Sequence, residues 1–140
     1  MIGKRRQCTP GQKARREFVK LYMSCLPCLL KRHLNVHCDY HHVVEGQKRL
    51  GEDYAYGSCL WHHKGIPLGE LTRQEMTGMV GVSYALSRRE FRANFGNERT
   101  LVALVDYAHE IWKRAPWLEF GMPHEVRRLI FMKWLDWKDA

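Results

Sequence analysis

The chain has 140 residues, 45% hydrophobic and 27% charged, the composition of one ordinary globular domain. No run of about 18 apolar residues occurs, and the basic N-terminus lacks the apolar stretch of a secretory signal, so neither a membrane span nor export is expected and the chain is placed in the cytoplasm. A net charge of +8 makes a polyanion the favoured partner, because each phosphate neutralised releases condensed counterions.

In chain order, residues 1–9 form a basic arm. Thr9 and Pro10 then have the residue types of an N-cap and a first helical position, which starts a helix running to about Met23. That helix is expected to bury Phe18, Leu21, Tyr22 and Cys25, with Pro27 ending it inside the Cys25–Cys28 turn. The β-branched, alternating segment 36–44 reads as a strand. A basic loop bounded by Gly46 and Gly51 follows, and 53–58 is the returning strand. A short helix carries Cys59 to Lys64 and is stopped by Gly65 and Pro67.

The remainder, 66–140, is helical. Thr72-x-x-Glu75 and Ser87-x-x-Glu90 have capping-box spacing, and Gly96 and Asn97 separate two helices. Leu101, Leu104, Val105, Ala108 and Trp112 mark the apolar face of the second of these. Val126, Leu129, Ile130, Lys133 and Trp134 lie along one side of a last helix, about 124–138.

The five cysteines are too odd a set for a disulfide framework in a reducing compartment, and their spacing points to metal. Cys25-x-x-Cys28 and Cys59-x-x-His62 are two chelating turns, the donor set that tetrahedral Zn²⁺ prefers. His33, His37 and Cys38 stand close enough in sequence to substitute for one of these ligands.

A second constellation joins His41 and His42 on the strand to His63 on the short helix. Such a strand–loop–strand–helix unit can hold one divalent cation, Mg²⁺ or Mn²⁺ with Zn²⁺ as the alternative, against a scissile phosphate. His41 and His63 are the expected ligands and His42 the expected general base, since an imidazole with a pKa near 6.5 suits proton abstraction at neutral pH. Strict pleating sends His41 and His42 to opposite faces, which separates a ligand from a base. Against this stand structural roles for the histidines, or service of all of them to one or two structural zincs.

The segment CLPC…CDYHHVVEGQKRLGEDYAYGSCLWHHKG resembles the HNH (ββα-metal) endonuclease superfamily in its zinc-knuckle form. More narrowly, with SRREFRANFGNERTLV following, it resembles the phage Ref-type nucleases over roughly residues 25–105. The resemblance implies an α+β fold with a ββα-metal core and zinc knuckle over 25–65, inside a single domain spanning 1–140. It also implies a phage-encoded enzyme that cuts DNA with the help of a RecA filament, in the host cytoplasm. HNH enzymes commonly carry an Asn before the second cysteine turn. Here no Asn lies between His42 and Cys59, and Asp53 is the nearest candidate for a hard oxygen ligand, with Asp39 also within reach.

Lys48 and Arg49 are candidates for phosphate contact beside the histidines, and Arg5, Arg6, Arg15 and Arg16 for a non-specific clamp along the backbone. No element reads as a recognition helix for base edges. Trp117, Trp134 and Trp137 suit the core better than base stacking. The alternatives to a nuclease are a non-catalytic zinc module binding DNA or a recombination protein, and an RNA-processing factor.

Overall fold

The computed structural model describes residues 8–138. Arg5 and Arg6, and most of the expected basic arm, lie outside them. Helix α1 (Pro10–Phe18) starts as its sequence dictates: Thr9 Oγ1 accepts from the Gln12 N–H at 3.1 Å and Gln12 Oε1 accepts from the Thr9 N–H at 2.9 Å. A π-helical turn, Val19–Met23, follows directly. Its wider turn rotates the buried face, so Val19 and Met23 are buried while Leu21 and Tyr22 are only half-buried, a correction to the expected stripe.

Ser24, at φ +72°, ends this helix. Pro27 does not terminate anything. It sits in the first turn of a second helix, α2 (Leu26–Leu30), where its missing N–H has no intrahelical acceptor to lose.

Strand β1 (Asp39–His42) pairs antiparallel with β4 (Ala55–Ser58), with Asp39 opposite Ser58 and His41 opposite Tyr56. Between them β2 (Val44–Glu45) and β3 (Lys48–Arg49) form a small hairpin. Its turn, Gly46-Gln47, has φ of +56° and +68°, the doubly positive geometry that matches strand twist. The expected strand 36–44 is thus shorter, and the expected basic loop is itself a hairpin. One face of the β1–β4 pair, carrying Tyr40 and Ala55, meets α1. The other, carrying His41 and Tyr56, meets the helices that follow. Gly57 is required where β4 crosses Ser24, because a Cβ there would lie 2.1 Å from the Ser24 carbonyl oxygen.

Helix α3 (Leu60–Lys64) ends at left-handed Gly65. Then come α4 (Arg73–Val80), α5 (Arg88–Phe95), α6 (Glu98–Arg114) and α7 (His124–Trp137), with Thr72, Ser87 and Asn97 as N-caps. The main core gathers Phe18, Leu26, Leu30, Tyr56, Phe91, Phe95, Leu101, Leu104 and Ile130. On α7 the buried positions are Val126, Ile130 and Trp134, whereas Leu129 is 46% exposed, so the apolar stripe is narrower than expected. Trp117 and Trp134 are buried, their indole N–H groups donating to the Tyr22 and Phe95 carbonyls. The architecture is α+β, and among the described residues no helix is long and apolar enough to cross a membrane.

Arg15 is not part of a surface clamp. It is 4% exposed and donates to Tyr40 Oη (2.6 Å), the Ala55 carbonyl (2.8 Å) and Asp106 Oδ1 (2.9 Å), joining α1, the sheet and α6. Arg15→Ala leaves these groups without their donor, and urea unfolding is expected to show a loss of about 2–4 kcal/mol. A loss under about 0.5 kcal/mol, the size of an ordinary surface change, would contradict the bridging role.

Candidate metal centre and histidine cluster

Cys25 and Cys28 sit at the start of α2, Cys59 caps α3 and His62 lies within it. The four donor atoms are buried and lie within 4.8 Å of one another. A regular tetrahedron about Zn²⁺ has edges of about 3.8 Å between sulfurs and about 3.6 Å between sulfur and nitrogen, from Zn–S near 2.3 Å and Zn–N near 2.05 Å. The observed Cys28–Cys59 sulfur separation is 3.8 Å, and His62 Nδ1 lies 3.5, 3.5 and 3.3 Å from Cys25, Cys28 and Cys59. The donor set fits zinc in chemistry and in size.

The surroundings complete the fit. His62 Nε2 lies 2.8 Å from the Val80 carbonyl, which can only accept, so Nε2 carries the hydrogen and Nδ1 offers its lone pair to the sulfurs. Burial pushes the Cys25 thiol well above its ordinary value, while hydrogen bonds from the Cys25 and Cys28 thiols pull Cys59 well below its own. Protons compete with a metal for these sulfurs, so zinc affinity falls as pH falls. Cys38 stays outside: burial pushes its thiol up to about 12 and its sulfur faces the Val19 carbonyl at 3.9 Å. His33 and His37 are exposed and also outside the cluster.

His41, His42 and His63 share one feature. Each has one ring nitrogen against a carboxylate from a different segment: His41 Nε2 to Glu98 (3.2 Å), His42 Nε2 to Glu52 (3.1 Å) and His63 Nδ1 to Asp39 (2.8 Å). Against an ionised carboxylate, which only accepts, a neutral imidazole carries its hydrogen on the facing nitrogen and keeps a lone pair on the opposite one. The pleat divides them. His41 and His63 meet edge to face on one side, ring centroids 4.9 Å apart, with Tyr84 and Tyr56 also against His41. His42 lies on the other side with Tyr40.

His41 Nδ1 is buried without a partner, as is Glu98 Oε1. Each is a buried acceptor still open to a cation or a donor. The tight four-donor grouping of the knuckle is not repeated there: among the described residues it is the one such group, and His41, His63 and Asp53 do not form another. Asp53 is exposed in the turn before β4, and its neighbour Glu52 makes the histidine contact instead. Lys48 and Arg49 are exposed on β3. The β2–β3 hairpin is fastened to the helices by Arg99, which grips Glu45 at 2.8 and 3.0 Å, and by Arg88, which donates to the Val44 carbonyl.

Glu52, Glu98 and Tyr56 escaped the sequence reading. Glu98 follows a good N-cap and has the look of an ordinary first-turn acid, and only the fold brings it 57 residues back to His41.

Residues 8–111 match the family model described as recombination enhancement, RecA-dependent nuclease. The chain belongs to this family. No curated protein and no solved structure matches it. The match takes in the knuckle, all three histidines and their carboxylate partners, and leaves α7 outside.

Elemental analysis should find zinc held by the knuckle. Cys59→Ser is expected to lose it together with several kcal/mol of stability, while Cys38→Ser keeps both. Full zinc content in Cys59→Ser would contradict the assignment.

Proposed function

We propose that the chain is an HNH-type endodeoxyribonuclease or nickase, phage-encoded and acting in recombination or repair on DNA engaged by a RecA filament. One observation carries it: three histidines on a β-hairpin and the helix after it, each polarised by a carboxylate, beside a Cys₃His cluster, in a chain of a nuclease family.

Nδ1 of His41 and Nε2 of His63 are the lone pairs that would hold Mg²⁺ or Mn²⁺, with Asp39 behind His63 as its orienting carboxylate. A cation bound there supplies charge neutralisation for the phosphorane and the leaving 3′ oxygen. His42, with Nε2–H held by Glu52, takes the proton of the attacking water at Nδ1, and the Glu52 charge stabilises the imidazolium that results. Glu52 serves the base in this scheme, and the expected metal-ligand role of Asp53 has no counterpart in it. Lys48 and Arg49 bind phosphates that flank the cut, supported by Arg88 and Arg99 at the base of their hairpin.

A second assignment of the base is favoured by one fact: His41, not His42, shares a face with His63. In it His41 takes the proton at Nδ1 and Glu98 plays the part of Glu52.

Nicking of supercoiled plasmid with Mg²⁺ or Mn²⁺, with and without RecA filaments, tests the proposal. His42→Ala is expected to lose about 10²–10⁴-fold in rate while keeping Mn²⁺ affinity. His41→Ala and His63→Ala lose Mn²⁺ binding as well. If His42→Ala cuts like the parent and His41→Ala keeps Mn²⁺ but not activity, His41 is the base. If the parent never cuts, even on filaments, the protein is a zinc-containing adaptor for DNA or a recombination protein.

A further inference from the structure

Glu98 is 1% exposed, a depth at which an ionised carboxylate loses several kcal/mol of hydration unless partners replace it. Helix capping does not explain it. Asn97 already caps α6, its Oδ1 accepting from the Arg99 N–H at 2.9 Å. The partners Glu98 has are Tyr56 Oη, which donates to Oε2 at 2.8 Å, and His41 Nε2, 3.2 Å from the same oxygen. Tyr56 and His41 stand opposite each other in the β1–β4 register, so a single oxygen spans the cross-strand pair. What the arrangement leaves free is His41 Nδ1 and the second Glu98 oxygen, Oε1, both buried and without a partner.

We propose that Glu98 is a positioning residue: it holds His41 with the hydrogen on Nε2 and the Nδ1 lone pair unengaged, and Tyr56 holds Glu98 in place. The inference rests on the reading of His41 as a cation ligand and assigns the group that makes it one. A carboxylate behind an imidazole also raises its basicity as a ligand, and loss of such a partner typically costs 10–100-fold in metal affinity. A leucine at the same position offers the His41 Nε2 hydrogen no acceptor, so nothing holds the hydrogen there and the Nδ1 lone pair is no longer secured.

The test uses the zinc-loaded full chain with ¹⁵N-labelled histidine. Long-range ¹H–¹⁵N spectra report the tautomer of His41, and Mn²⁺ titration read by paramagnetic broadening reports affinity. The parent is expected to show hydrogen on Nε2. Glu98→Leu is expected to shift His41 toward the Nδ1–H form and to weaken Mn²⁺ binding about 10–100-fold at unchanged zinc content. Tyr56→Phe, which keeps the ring in the core, is expected to weaken it less and serves where Glu98→Leu does not fold. Unmoved His41 nitrogen signals, or Mn²⁺ affinity equal to the parent's in the variant that folds, would overturn the proposal. Neither measurement reads DNA cleavage, so a parent that fails to nick plasmid counts against the nuclease reading alone. A parent that takes up no Mn²⁺ counts against the ligand role of His41, and the tautomer shift then decides for Glu98.

Discussion

Four side chains set the position of everything that follows them. Cys25 and Cys28 at the start of α2 meet Cys59 and His62 at the start of α3, tying two segments more than thirty residues apart in sequence. Helix α3 has five residues, far below the length at which a helix holds itself in water. Its orientation comes from the knuckle, from the Trp61 N–H to the Gly81 carbonyl and from the His62 contact with Val80. His63 is the next residue after a knuckle donor, so the bond that seats His62 inward also turns His63 outward to Asp39 and His41. The Cys₃His cluster is structural in this sense: it aims a histidine that it does not use.

The second constraint is the pleat. A two-residue alternation puts His41 on the face toward α3 and α6 and His42 on the face toward α1. Each face then supplies its own carboxylate, Glu98 from α6 and Glu52 from the loop before β4. Three histidine–carboxylate pairs in so small a volume, one of them fully buried, are difficult to explain as packing. A core of this size keeps a buried ion only when geometry repays its desolvation, and here the geometry leaves a ring nitrogen unspent.

Much of this was legible in the residues themselves. Thr9, Thr72, Ser87 and Asn97 announce helix starts through their own hydrogen bonds, and the four knuckle ligands follow from spacing, because chelating turns are local. Registers that depend on distant contacts were not. The π-helical turn at Val19–Met23 shows no signature in its composition, and the burial of Arg15 depends on Asp106 and Val102 from α6. Pro27 illustrates the limit of local rules, since the same residue ends one helix or opens another depending on the backbone before it. Glu52 and Glu98 belong to this second group: a carboxylate's partner is set by the tertiary fold, while Asp53 beside Glu52 is exposed.

In the proposed scheme the chain keeps a structural metal and a reactive one in separate places, with His62 and His63 of one short helix serving one each. A crystal of the protein grown with Mn²⁺, with anomalous maps collected at the zinc and manganese edges, tests that directly. Zinc should lie among Cys25, Cys28, Cys59 and His62, and manganese between His41 Nδ1 and His63 Nε2. A single ion shared by both sets of residues, or manganese bound only among the cysteines, would contradict it.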